Sequence, residues 1–318
     1  MYGNFQLYAD SIEITDYAGN VSWQNTIDEL ATSLSFETAK TDTKYLNFYS
    51  PLEGSIISII TNTEIFRGIV LSVDDGSEKV NKYTVCDFGW FLNKSSETYQ
   101  FNNMPAKEAI TKICEDYGIP IDTIPELNTE ITQLYLDKVL SDIIKDILSL
   151  CGGGYNLDVT PNGIRIYKYG DIYAYPEFRV SPNTRLVYSP NFRGNVSHSR
   201  SIEEMKNSIK VVSEKDGVYS HLAISKDDVN ISKFGLLQKV VKIDPEKESA
   251  DTVANTQLSE LNKVSESFST EIIEATDSYT RAGSIINIAD IDYLIEGSTH
   301  SIKNGIHYVK LDLRRWAS

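Results

Sequence analysis

Cysteine is scarce in this sequence, with 3 residues among 318. Cys86, Cys114 and Cys151 are widely spaced, odd in number and form no Cys-x-x-Cys pair. That pattern argues against a disulfide framework and against a thiolate zinc site. Basic residues are in deficit too: Lys and Arg number 30 against 45 Asp and Glu, for a formal net charge of −15. A chain this acidic is poorly built to neutralise a phosphate backbone or to lie on an anionic membrane, so no specific nucleic-acid binding is expected. Long hydrophobic runs are missing. The most apolar stretch, Ile56-Ile57-Ser58-Ile59-Ile60, is far short of the roughly 20 residues that span a bilayer. Residues 1–10 carry neither the basic start nor the apolar core of a secretory signal. The expectation is a soluble protein made in the cytoplasm without a signal peptide, with no membrane insertion. Enzyme motifs are missing as well. There is no His-Glu-x-x-His, no Gly-x-Ser-x-Gly, and no Gly-Lys-Ser/Thr after the triple glycine 152–154.

What is present is an ordinary globular composition, 41% hydrophobic and 24% charged, which excludes disorder, and a length that fits about two domains. The first hundred residues read as strands: Ile12–Ile14, Ser33–Glu37, Ile65–Val73, and a returning strand Lys82–Phe88 after the turn signal Asp75-Gly76. From Pro105 the period changes. Ala106, Ala109, Ile110, Ile113, Cys114 and Tyr117 share a helical stripe that Gly118 stops. A second helix over about 138–151 carries Leu140, Ile143, Ile144, Ile147, Leu148 and Cys151, and Gly152-Gly153-Gly154 ends it. A hairpin, Tyr155–Val159 with Ile164–Tyr169, follows. Strands return at Arg185–Tyr188, Ser208–Val212 and Leu237–Ile243. An acidic helix near 246–264 then carries Ala250, Ala254, Leu258 and Leu261 on one face, and strands resume at Phe268.

The most informative feature is an internal repeat. Gly54-Ser55-Ile56-Ile57-Ser58-Ile59 matches Gly283-Ser284-Ile285-Ile286-Asn287-Ile288, and without a gap the same offset pairs Gly68 with Gly297, Ser72 with Ser301 and Gly76 with Gly305. Eight of 23 paired positions are identical, where chance gives about one or two at average residue usage. A four-residue deletion then aligns Tyr83 with Tyr308 and Asp87 with Asp312. The reading is two copies of one β unit, with Gly76 and Gly305 in turns, and Gly68 and Gly297 at mid-strand bends or close approaches. The fold class expected is mainly β with an α+β insertion. It comprises a first β-barrel at 1–100, a small α+β domain at 101–180 and a second, similar β-barrel at 181–318. A trimer of such a chain presents six similar units in a ring, a means of joining a threefold object to a sixfold one.

Phe66-Arg67-Gly68-Ile69-Val70 with Tyr83-Thr84-Val85-Cys86-Asp87, the helix Ala109–Pro120, and the terminal stretches Ala282–Ile286, Tyr293–His300 and Tyr308–Leu313 resemble a known family. It is the baseplate hub family of contractile-tailed phages, defective prophages and phage-tail-like bacteriocins. That family is related to the late control protein D group and to the hub part of type VI secretion spikes. The resemblance runs over almost the whole chain in the family's order. It implies a homotrimeric structural protein with two tube-forming barrels per chain. Such a hub joins the sixfold tail tube protein to the threefold central spike protein, contacts other baseplate proteins, and is incorporated into a virion tail or tail-like particle. Type VI spikes carry a needle domain in the same chain. The sequence stops at Ser318 without one, so the resemblance implies a separate spike protein. If the barrels line a channel, acidic side chains facing the lumen would repel passing DNA.

Of the four histidines, His198, His221, His300 and His307, the last two flank the Asn304-Gly305 turn and can approach in a hairpin, but no third ligand at suitable spacing is evident. His198 lies among Ser197, Ser199 and Ser201, whose side chains point alternately to opposite faces of a strand, a poor arrangement for nucleophile activation. Asp74-Asp75-Gly76 lacks the spacing of a calcium loop. Tyr167, Tyr169, Tyr173 and Tyr175 alternate and would share one face, a candidate protein contact, if that segment is extended. The expectation is no catalytic, cofactor-binding or metal residues and no enzyme. The runner-up is a peptidoglycan hydrolase using a carboxylate pair.

Overall fold

A computed structural model describes residues 5–40, 48–76, 79–174, 196–215, 218–245, 248–274, 280–288 and 290–316. The chain is mostly β and divides into two compact units, Met1–Val196 with Ser269–Ser318, and Ser197–Phe268.

In the first unit a large sheet is built from β1 (Ala18–Thr26), β2 (Ser33–Ala39), β3 (Ile56–Ile60), β4 (Glu64–Asp74), β5 (Val80–Asp87), β6 (Ser265–Glu274, of which the part from Ser269 belongs to this unit), β7 (Ile285–Ile288), β8 (Ile291–Lys303) and β9 (Ile306–Arg315). Its neighbours run β6-β9-β8-β1-β2-β5-β4-β3, then the short strands Gln6–Ala9 and Ile12–Glu13. The strands form because apolar residues alternate: in β2, Leu34, Phe36 and Thr38 are buried while their neighbours are not. In β4 the buried face is Phe66, Gly68 and Val70, while on the other face Ile65 and Ile69 are half-buried and Arg67 is exposed.

The two copies, β3-β4-β5 and β7-β8-β9, are both present and share an unusual detail. Gly54 and Gly283, ahead of the first strands, have φ of 87° and 89°. Each donates its N–H to the second strand, Gly54 to Val70 O and Gly283 to Ile295 O, both at 2.8 Å. Val70 and Ile295 then pair with Val85 and Leu313, and in both copies one residue, Leu71 or Glu296, bulges before the ladder resumes at Ser72 and Gly297. This corrects the ungapped alignment. The shortening lies in the first hairpin loop, where Ile59 pairs with Phe66 but Ile288 pairs with Ile291. Gly297 is therefore the counterpart of Ser72, and Gly68 that of Tyr293. Tyr83 and Asp87 correspond to Leu311 and Arg315, not to Tyr308 and Asp312.

The copies do not close into two separate barrels among the described residues. One edge of β8 is divided between β7, at Ile291–Leu294, and β1, at Gly297–Ser301. Since β1 continues into β2 and β5, both copies become parts of one open sheet.

Between them, helix α1 (Ala106–Asp116) and helix α2 (Leu140–Leu150) bury the stripes expected of them. Pro105 caps α1 from outside rather than occupying its first turn. With the antiparallel pair Ser96–Pro105/Glu130–Val139, whose strands flank α1 in the chain, and the hairpin Tyr155–Thr160/Gly163–Lys168 they enclose a core around Phe101, Ile110, Ile144 and Ile164.

In the second unit, the sheet Val218–Lys226, Ser208–Lys215, Gln238–Lys242 carries helix α3 (Ala250–Leu261) over Ile209, Val211 and Ala223. Ala254 is the only residue of the expected acidic-helix stripe that is fully buried. The strand expected at Arg185–Tyr188 lies outside the described residues.

Candidate functional site

The strongest concentration of chemistry-bearing side chains lies on the second copy. The Asn304-Gly305 turn, with φ of 51° and 72°, closes β8 onto β9 so that Lys303 pairs with Ile306. In that register His307 stands opposite Ile302, and His300 lies diagonally on the same face, since residues two apart share a face. His300 Nδ1 is 3.0 Å from His307 Nε2. On the other side of β8, Trp23 pairs directly with His300, and its ring stacks on the imidazole at 4.7 Å and 6°.

Glu274, from the end of β6 beside β9, completes the group. Its Oε2 is 3.7 Å from His307 Nδ1 and 3.9 Å from His300 Nδ1, and Glu274 and His300 are both buried. Its Oε1 accepts from Thr280 Oγ1 at 2.7 Å. The His300 Nε2–H donates to the Thr280 carbonyl at 3.0 Å, with Ser298 Oγ at 3.1 Å. A carbonyl can only accept, so this contact places the His300 proton on Nε2 and leaves Nδ1 as the acceptor toward His307. Burial, helped by His307 and Arg281, holds His300 well below the usual histidine range, so it is neutral. Glu274, His300 and His307 offer ligand atoms all within 4.8 Å of one another. Sequence reading found the histidine pair but not Glu274, because 26 residues separate it from His300 and no local spacing marks it.

A second buried network adjoins the first copy. Asp158 is bridged by Arg165 Nη2 at 2.6 Å and Arg281 Nη2 at 2.8 Å. Arg281 also donates to Thr32 Oγ1 at 3.1 Å, and Thr32 donates its N–H to Asp87 Oδ2 at 3.0 Å. Asp87 Oδ1 accepts from Gly89 N at 3.0 Å. Burial lifts the Asp87 carboxyl to about 7 against these donors and the nearby Arg281. Asp158 is thus a buried carboxylate held between two guanidinium groups, and removing either would leave a buried charge less compensated.

The other residues singled out in the sequence are not brought together. His198 stacks on Phe268 at 4.4 Å and meets Glu266 at 3.6 Å, while Ser199 turns to Ser267. His221 is exposed. Asp74 Oδ1 accepts the Gly76 N–H at 3.1 Å in a simple turn. The tyrosine stripe does not exist as one face: its strand ends at Lys168 and Gly170 turns the chain at φ 96°. Tyr167 is buried against Asn156, Tyr173 is exposed, and Tyr175 lies outside the described residues. Cys86 and Cys114 are buried free thiols, pushed up by burial to about 11 and about 12.

A family model described as YQBQ-like matches residues 21–314. The chain belongs to the YQBQ-like family. Its relatives include YqbQ of Bacillus subtilis (strain 168), 26% identical over 298 residues, covering 87% of this chain and 86% of that protein. Among solved structures, the YQBQ-like chain is similar to the 43 kDa tail protein of prophage MuSo2 from Shewanella oneidensis. The TM-score is 0.66 at 13% identity, covering 98% of this chain and 97% of the other. It is also similar to the E. coli c3393 protein, at TM-score 0.54 and 9% identity, covering 98% and 77%. That protein is described as a component of the type VI secretion system with structural similarity to T4 bacteriophage tail proteins gp27 and gp5. The YQBQ-like chain therefore has a phage tail protein fold. Among its described residues, no helix is long and apolar enough to cross a membrane.

Proposed function

We propose that this chain is a structural hub of a contractile phage tail or tail-like particle. In this reading it is a homotrimeric adaptor between the sixfold tail tube and the threefold central spike, and it contacts other baseplate proteins. The observation that carries the reading is the fold match to a prophage tail protein over 98% of this chain and 97% of that one. The duplicated β unit supports it, because three chains with two similar units each supply six similar positions around a threefold axis. The division at 1–100, 101–180 and 181–318 belongs to this proposal, with the outer two parts forming the tube. Its action is geometric: strand edges and buried interfaces hold rings of different symmetry in register.

The test is native mass spectrometry of the full chain, alone and with a tail tube protein, together with imaging of tail particles that contain the chain. A trimer located between tube and spike is expected. A protein that stays monomeric in both samples and is absent from particles overturns the reading. So does release of soluble sugar or peptide from purified cell wall by this chain.

A further inference from the structure

We propose that Glu274, His300 and His307 form a site for a divalent transition metal of the zinc type, bound through the Glu274 carboxylate, His300 Nδ1 and His307 Nε2. The ligand set is two imidazoles and one carboxylate, a combination that binds Zn²⁺ with a fourth position left for water. Metal–nitrogen bonds of about 2.0–2.1 Å place two tetrahedral ligand atoms about 3.3 Å apart. His300 Nδ1 and His307 Nε2 stand 3.0 Å apart, close to that edge. Glu274 Oε2 lies 3.9 Å from His300 Nδ1 and 3.7 Å from the Nδ1 side of the His307 ring, and one ligand atom of each residue falls within 4.8 Å of the others, gaps that side-chain rotation can close.

The surroundings resemble those of metal ligands rather than of a chance contact. A ligating histidine typically donates its other N–H to a carbonyl or carboxylate, which fixes the tautomer and aims the bare nitrogen at the ion. His300 Nε2 donates to the Thr280 carbonyl in this way, and the same residue's hydroxyl holds Glu274 Oε1. The Trp23 ring clamps the His300 plane. All three ligands sit on strands of one sheet rather than on a loop. The His307 side chain is 18% exposed, which gives an ion a way in. In the empty site the His307 Nε2–H points at His300 Nδ1; on binding that proton moves to His307 Nδ1, so the ring ligates through Nε2 as a neutral imidazole. The ion would tie β6 to the β8-β9 hairpin. Nothing in this depends on the assembly proposed above.

The experiment uses the full chain, stripped with EDTA and titrated with Co²⁺ for its visible d–d spectrum, then with Zn²⁺ in competition, with bound zinc counted by elemental analysis. One equivalent in a tetrahedral spectrum is expected, and zinc raises the melting temperature. His307→Ala, at the partly exposed ligand, should weaken binding at least about 100-fold, and Thr280→Val about 10-fold. His221→Ala, an exposed histidine in the other unit, should leave it unchanged. Glu274→Gln keeps the side chain's shape and gives the same readout if His307→Ala melts early. Less than one equivalent in the unmodified chain, or undiminished binding in both ligand variants, overturns the proposal.

Discussion

The two copies of the three-strand unit share a backbone plan and differ in what they bury. The first fills its inner face with hydrocarbon and aromatic rings, from Ile57 and Ile59 through Phe66 and Val70 to Tyr83 and Val85. The second keeps an apolar base at the matching positions Ile286, Ile288, Ile295, Leu311 and Leu313, then carries its second hairpin farther. The ladder of the first copy is described to Asp74 opposite Lys82, while the second continues to Lys303 opposite Ile306. The added length begins at His300, takes in the last two pairs with β1, and is where His300 and His307 meet. A duplicated frame thus leaves one copy to packing and frees the extension of the other for a polar cluster. The third strands diverge as well, ending in buried Asp87 and exposed Arg315.

This comparison can be broken by measurement. Trp23, Trp90 and Trp316 all lie in the first unit, so their fluorescence in urea follows that unit alone. The largest contrast is expected between the mid-strand glycines. A Cβ at Gly68 would sit 2.4 Å from the Cys86 carbonyl oxygen, while at Gly297 the nearest atom is 3.5 Å away. Gly68→Ala should cost about 3 kcal/mol or more and Gly297→Ala under about 1 kcal/mol. Equal costs would mean that the two glycines are equivalent after all.

Next come Gly283 and Gly54, matched in φ but not in surroundings. A Cβ at Gly283 would lie 2.2 Å from Asn156 Nδ2, which is held by Tyr167, and at Gly54 it meets nothing within 4 Å. Gly283→Ala should cost about 2–3 kcal/mol through this clash added to backbone strain, and Gly54→Ala about 1 kcal/mol from strain alone.

Asp87 gives a smaller, pH-dependent effect. Its carboxyl is raised on folding from 3.8 to about 7, so its contribution to stability is fully present below 3.8 and is lost as pH rises through about 7. Unfolding midpoints followed over that window should fall more steeply with pH in the natural chain than in Asp87→Asn. Identical slopes would show that Asp87 ionises normally. The smallest effect is expected at the exposed Glu64–Arg67 pair on β4 of the first copy, a 2.6 Å contact with Arg67 45% exposed. Arg67→Ala should change stability by under about 1 kcal/mol and lose even that difference in high salt.

Much of the fold was legible because it follows from period. The stripes of α1 and α2 needed only the 3.6-residue spacing of Ala106 to Cys114 and Leu140 to Leu148, and the turn at Asn304-Gly305 needed only the residues that accept positive φ. The repeat was legible in its glycines, but its register was not. A four-residue shortening in one hairpin loop can be placed at several points with similar identity, and only backbone pairing shows where the strands resume. The tyrosine stripe failed because alternation on paper assumes an unbroken strand, and Gly170 breaks it.

By itself, then, the sequence determined a mainly β chain with a helical insert, a doubled unit and a paired histidine turn, because each rests on neighbours a few residues apart. The tertiary structure alone decided that both copies join one open sheet, since that depends on β8 dividing its edge between β7 and β1. It alone brought Glu274 to His300 and His307, because strands distant in sequence become adjacent only when the sheet has formed.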